Sequence, residues 1–270
     1  MAALPFPIPS SLSPSFRMSR ATESDLDDLI DAYYEAFRLD PGNTYWWSPD
    51  RGHMQTWMRH RILKKMNDRS FRHFKISDGT TGDLVAWARW DIPEGYDAHF
   101  GPHVDGQGDE IMGGGGREVD VSRIVEEEDR RAENGGAALV TSAPVEAVAP
   151  SDYPEGGNPA FCREFFGAIQ NMSEKWGAKK MLVLSLLCTV PKYHRRGAAK
   201  ALLLPMLAIA DAAGLRTYLE ATPTGRPVYE KLGFRTLDEI EFDLSTRIEG
   251  YEAQYKLSIM VREPGNTHRD

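Results

Sequence analysis

Apolar positions fall at helical spacing in "ATESDLDDLIDAYYEAF", residues 21–37, where Leu26, Leu29, Ile30, Tyr33 and Phe37 share one face. Thr22 stands as the N-cap of this helix, with Asp25 three residues on. Residues 54–66, "MQTWMRHRILKKM", read as a second helix. The pattern then shortens. Residues 71–77 and 84–92, "FRHFKIS" and "LVAWARWDI", read as strands joined by the turn-rich "DGTTGD". Residues 159–177 form a third helical pattern, closed by Gly177. Residues 180–190, "KMLVLSLLCTV", are a continuous apolar run and predict a central, buried strand. A helix over 198–214 follows, with Pro205 inside it as a kink site, and then a strand over 216–222. A short helix over 225–233 and a strand pair over 236–244 and 255–263 complete the chain. Helices and strands in this order, without internal repeats, predict one mixed α/β domain.

Residues 94–157 do not fit either period. They hold twelve of the 24 glycines, fifteen Asp or Glu, four Arg and no Trp, a local balance of -11 in a chain of net charge -8. Such a composition buries too little apolar surface to offset backbone ordering, so a long flexible insertion is expected there. His99 and His103 lie four apart within it, but no third ligand accompanies them and no metal site is predicted. The expected layout is a flexible arm over 1–16, a single domain over 17–263 interrupted by 94–157, and a tail over 264–270. The opening residues lack the basic cluster and unbroken apolar core of a signal peptide. No stretch approaches the roughly 20 apolar residues of a membrane span. The two cysteines, Cys162 and Cys188, lie in apolar surroundings and are expected as reduced thiols. A soluble, cytoplasmic protein is the expectation, with no membrane partner. An acidic chain without a basic run interleaved with aromatics also argues against nucleic acid.

The stretch "VPKYHRRGAAKALL", residues 190–203, carries the chemistry. It joins the predicted buried strand to a helix. The first turn of a helix leaves N–H groups unpaired and carries partial positive charge, so an anion can sit there where side chains leave room. Gly197, Ala198 and Ala199 leave that room, and Arg195 and Arg196 supply charge. Taken alone, the stretch equally describes a plain strand-to-helix turn with solvated arginines. It is neither a G-x-G-x-x-G fingerprint nor a Walker loop.

The same residues resemble motif A of the GNAT superfamily of N-acetyltransferases, in which [Q/R]-x-x-G-x-[G/A] links a strand to a helix. His194 to Ala199 occupy that pattern here, with His194 in place of Gln or Arg. Downstream, "VYEKLGF", residues 228–234, resembles motif B, and Thr222 stands seven residues before Tyr229 where many members have Asn. The resemblance is clear over 180–234 and excludes 94–157. It implies a GNAT-like central mixed sheet flanked by helices and acetyl-coenzyme A as acyl donor. The pantetheine arm would pair with the backbone of Leu187, Cys188, Thr189 and Val190. The pyrophosphate would lie on Arg195, Arg196, Gly197, Ala198, Ala199 and Lys200. Tyr229 matches the family's general acid.

Acetyl transfer to a primary amine asks for a neutral amine, a donor to the developing oxyanion, and a proton for the leaving thiolate. A backbone N–H near Leu187 or Cys188 meets the second need and Tyr229 the third, unless Tyr229 is only a core aromatic. Alternation in "RTYLEAT" puts Tyr218, Glu220 and Thr222 on one face. Glu220 there reads either as the general base or as a structural carboxylate held by an arginine or a backbone N–H. Asp91 is a second candidate base or amine anchor, and the tryptophans at 46, 47, 87 and 90 read as core or as pocket walls. The acceptor stays open between a small-molecule amine and a protein amine. A longer acyl chain, a hydroxyl acceptor, or a sensor or scaffold that binds coenzyme A without turnover are the alternatives.

Overall fold

A computed structural model describes residues 3–104, 110–111, 152–245 and 254–265. Its centre is a seven-stranded sheet of β1 (Phe16–Arg20), β2 (Phe71–Asp78), β3 (Leu84–Asp91), β6 (Leu182–Thr189), β7 (Thr217–Ala221), β8 (Arg235–Asp243) and β9 (Gln254–Arg262). The order across the sheet is β1-β2-β3-β6-β7-β9-β8. A separate two-stranded ladder pairs β4 (His103–Val104) with β5 (Glu110–Ile111). All neighbours in the large sheet are antiparallel except β6 and β7.

Helices cover both faces. On one lie α1 (Leu26–Phe37), the single turn α2 (Pro41–Thr44), α3 (Arg51–Met66) and α5 (Pro159–Lys175). Leu29, Ile30, Met54, Met58 and Ile62 pack there with Trp87, Cys188 and Tyr218 from the sheet. The predicted cap is present: the Thr22 N–H donates to Asp25 Oδ2 at 2.9 Å, and a 3-10 turn over Glu23–Asp25 leads into α1. On the other face lie the short α4 (Asp97–Phe100), α6 (Ala198–Ala212) and α7 (Arg226–Glu230). Leu202, Leu203, Met206 and Leu207 of α6 are buried against Leu182, Leu184 and Leu219. Each such side chain contributes about 1.5–3 kcal/mol, so the start of α6 is firmly anchored on β6. No helix among the described residues is long and apolar enough to cross a membrane.

Two segments differ from expectation. The amino-terminal stretch lies on the sheet: the Phe6 ring centre is 5.0 Å from that of Phe74, and Arg20 Nε donates to the Ala3 carbonyl at 3.0 Å. Its last residue, Phe16, opens an edge strand paired with β2. Most of the 94–157 segment lies outside the described residues, but its ends are built into the fold. Phe100 is fully buried, and Asp97 accepts from Arg72 Nη2 at 2.8 Å. Arg72 is 2% exposed, and a guanidinium so far from water requires acceptors. Asp97 and the Gly101 carbonyl provide them. Local composition could not reveal this, because the partner lies 25 residues away. His103 is buried with Nδ1 3.4 Å from the Phe71 carbonyl, whereas His99 is exposed.

Candidate active site

β6 and β7 are paired only at their starts, Leu182 with Thr217 and Val183 with Tyr218. Beyond Val183 the strands part. β6 stays paired with β3 up to Thr189 opposite Ala86, and β7 continues with β9. The β6 edge from Leu184 to Thr189 therefore has no ladder partner on the β7 side. A strand directs alternate N–H and C=O groups to each side, so part of the β6 backbone is presented to the opening. A bulge adds to the divergence. Arg89 faces Leu186 and Trp90 faces Leu184, which leaves Ser185 extra. Ser185 Oγ accepts from Arg89 Nε at 3.0 Å and donates to the Arg89 carbonyl at 3.3 Å, fixing the bulge.

The end of β6 turns into α6 through a loop of unusual backbone. Arg195 has φ 63 and Gly197 φ 83, with Arg196 of ordinary hand between them. A left-handed non-glycine residue costs of order 1–3 kcal/mol and persists only where the surroundings impose it. Alternating hand curls the chain into a concavity that gathers successive N–H groups. The first backbone bond of α6 runs from Ala201 N–H to the Gly197 carbonyl. The N–H groups of Arg195, Arg196, Gly197, Ala198, Ala199 and Lys200 find no acceptor among the described residues. A side chain added at Gly197 would meet nothing within 4 Å, so the space over these donors is open. Arg195, Arg196 and Lys200 are exposed and unpaired with any carboxylate among the described residues. Arg196 lies over the rings of Phe16 and Tyr193, at 4.9 and 5.4 Å.

Four backbone positions were expected to pair with the pantetheine arm, and Val190 departs from that expectation. Its N–H donates to the Val85 carbonyl and its own carbonyl accepts from Tyr193, at 2.9 and 2.8 Å. The Thr189 carbonyl accepts from His194 Nε2 at 2.9 Å. Leu187 and the Thr189 N–H face the open side of β6, whereas Cys188, opposite Trp87, turns its backbone groups to β3 in the same alternation as Val190 opposite Val85, a second departure from the expectation. The Cys188 side chain is buried, and burial pushes its thiol up to about 12, which leaves it inert as a nucleophile.

Tyr229 sits in α7, where Thr222 Oγ1 accepts from the Gly225 N–H at 3.1 Å. The Tyr229 carbonyl accepts from Leu232 and Phe234, closing the turn. Its ring meets Phe234 edge-on at 5.9 Å among Ala221 and its neighbours on the α6 face. Burial raises the phenol above its ordinary value, so it holds its proton at neutral pH. No described residue hydrogen-bonds its hydroxyl. Glu220 lies on the opposite face of β7, beside the fully buried Tyr218. Burial pushes its carboxyl up to about 7, partly offset by the Tyr218 hydroxyl. Asp91, at the end of β3, is half-buried and also raised by burial.

Residues 163–244, from α5 through β8, match the family model described as the Acetyltransferase (GNAT) domain. Over that segment the chain is similar to the GNAT acetyltransferases. The whole described fold follows the same architecture. Arylalkylamine N-acetyltransferase 2 from Aedes aegypti superposes with TM-score 0.53 at 17% identity, covering 93% of this chain and 99% of that one. The polyamine N-acetyltransferase of Drosophila melanogaster gives 0.50 at 11% identity, covering 92% and 99%. No curated protein matches the sequence.

Sequence reasoning missed the roles of Ser185 and Arg89 in shaping the β6 edge. The apolar run over β6 gives no local signal of a bulge. A clue lay in Arg89, an arginine in an otherwise apolar strand, which needs a polar partner facing it.

Proposed function

We propose that the protein transfers an acetyl group from acetyl-coenzyme A to the primary amine of a small molecule. The observation that carries this reading is the run of six unbonded N–H groups from Arg195 to Lys200, opening beside the unpaired edge of β6. An anion with two linked phosphates suits the first, and an extended amide-bearing arm suits the second. The residues fit coenzyme A: Arg195, Arg196 and Lys200 face the phosphates, and Leu187 and the Thr189 N–H offer strand-like backbone groups. Bound acetyl-coenzyme A supplies an activated thioester. Both solved relatives are named for small amine substrates, arylalkylamines and polyamines, which supports the acceptor class.

Glu220 serves as general base. A carboxyl near 7 is half ionised at neutral pH and accepts a proton from the ammonium form of the acceptor. The β6 backbone N–H of Leu187, which faces away from β3, donates to the carbonyl oxygen as negative charge builds on it. Tyr229, protonated and unengaged, donates its proton to the departing sulfur and regains one from solvent. Glu220 and Tyr229 belong to opposite faces of the sheet, and the opening between β6 and β7 is where the two faces communicate.

The test is a thiol-release assay with acetyl-coenzyme A over a panel of small amines, paired with calorimetry of coenzyme A. Binding with acceptor-dependent thiol release is the expected result. Tight binding without release for any amine would leave a coenzyme A-binding module, and no binding would remove the reading altogether.

A further inference from the structure

Three basic side chains gather on the α1/α3 face of the sheet, level with the β6 bulge. Arg89 projects from β3 and grips Ser185 through Nε to its hydroxyl at 3.0 Å and Nη2 to its carbonyl at 3.4 Å, which leaves Nη1 free of any described acceptor. Arg61 projects from α3, with its guanidinium 4.6 Å from the ring centres of both Trp57 and Phe166. Lys65, one turn further along α3, stands 4.0 Å from the Phe71 ring, and Arg89 lies 5.8 Å from the same ring. All three are half-buried, and none has a carboxylate within ion-pair distance among the described residues.

Other withdrawn cations among the described residues have a carboxylate partner. Arg72 pairs with Asp97, Lys75 with Asp25 and Arg262 with Asp211. Cations withdrawn from water are normally paired, because the desolvation cost is otherwise uncompensated. Arg61 and Arg89 also repel each other: burial first, then the Arg61 charge, holds Arg89 down at about 10. The acidic groups felt at this place, Asp91 and Asp68, act on Lys65 and Arg89 from beyond contact distance. Tyr33 of α1 completes the surroundings of the two arginines.

The arrangement is placed to serve Glu220. Counting on from the Val183–Tyr218 pair, Glu220 lies level with Ser185, the residue that Arg89 grips, and on the same face of the sheet. One strand, β6, separates β3 from β7. Two regular strand spacings make about 10 Å, and the parting of β6 from β7 beyond Val183 adds to that, so the gap between Arg89 and Glu220 suits a small molecule that carries an amine and an anion at its two ends.

We propose that the acceptor carries a carboxylate, received by Arg89 and Arg61, with its amine directed to Glu220. The Arg61 fork presents paired N–H donors matched to a carboxylate, Arg89 adds Nη1 and its charge, and in a partly dry setting the two discriminate strongly against an uncharged group. The assignment of the amine rests on the acyl-transfer reading above; the carboxylate does not.

The experiment separates the two. With the protein saturated in coenzyme A, calorimetry compares phenylalanine with phenethylamine, lysine with cadaverine, and arginine with agmatine. The expected result is that at least one amino acid binds about tenfold or more tightly than its decarboxylated partner. Arg61→Gln and Arg89→Gln should each erase that preference while leaving the affinity of the plain amine unchanged. Arg61 makes no hydrogen bond to the β6 bulge, so Arg61→Gln stands even if Arg89→Gln disturbs the bulge. The proposal is overturned if none of the six compounds binds, if the plain amines bind as well as their amino acids, or if Arg61→Gln weakens both members of a pair equally. Carboxylate-dependent binding without thiol release from acetyl-coenzyme A would sink the acyl-transfer reading and leave this one standing.

Discussion

The His194 ring donates from Nε2 to the Thr189 carbonyl at 2.9 Å, so the residue that opens the phosphate loop is tied back to the last residue of β6. The bond holds the loop in the shape that leaves its N–H groups unpaired. His194 itself is exposed, and its loss removes little packing. His194→Ala should therefore leave the melting temperature nearly unchanged. It should weaken coenzyme A binding by about fivefold, the equivalent of the roughly 1 kcal/mol of one net hydrogen bond. Calorimetry decides the matter: unaltered affinity would mean that the loop keeps its shape without this tie.

Gly197 separates conformation from occupancy. Its φ of 83 is strained for any other residue, so Gly197→Ala and Gly197→Glu should both lower stability by about 1 kcal/mol. Alanine adds one methyl group to open space and should retain coenzyme A binding. Glutamate carries a negative charge into the position assigned to the phosphates and should abolish it. Equal affinities for the two variants would remove the phosphates from this loop.

Tyr229→Phe keeps the ring against Phe234 and deletes a hydroxyl that bonds to no described residue, so stability should hardly move. The turnover number should fall by about 10²-fold, the scale for a positioned acid. KM for acetyl-coenzyme A should change much less, because the proton is donated as the sulfur departs. Steady-state kinetics with one acceptor reads both numbers. A variant with undiminished turnover would return Tyr229 to a packing role.

Glu220 makes a pH-dependent prediction of two kinds. As base it must be ionised, so kcat/KM should rise with pH through about 7 and Glu220→Gln should lose that limb. Stability runs the other way. The folded protein holds the proton up to about 7, whereas the unfolded chain loses it near about 4.3. Between those values the folded state binds more protons, so stability from this group falls as pH rises and is lowest above 7. Glu220→Gln removes that penalty. The variant should melt higher relative to the wild type at pH 8 than at pH 4; a constant offset across the range would show that the carboxyl is not shifted.

Much of this was legible in the sequence. The apolar run that became β6 and the helical periodicity of α1 and α6 are local signals, and Gly197 announced its loop because few residues tolerate its φ. β1 was not legible: "FRMSR" is five residues long and adjoins a proline-rich stretch, so its alternation is too short to register. Nor was the parting of β6 from β7, since pairing depends on which strand arrives alongside and no run of residues encodes it. The convergence of Arg61 and Arg89 belongs to the same class. They lie 28 positions apart on different elements, and only the fold makes them neighbours. Val190 shows the converse, a residue correctly placed at the strand end whose backbone groups the fold had already engaged.

Because β6 and β7 hold each other through two residue pairs only, the sheet is mechanically two plates, β1-β2-β3-β6 and β7-β9-β8, joined at one end like the covers of a book. An extended molecule lodged along the parted edges would act as the stitching, sharing hydrogen bonds with a plate that otherwise ends at β6. Amides facing that seam, between Leu184 and Thr189, should exchange with solvent sooner than those that β6 shares with β3, and slow markedly once the seam is filled.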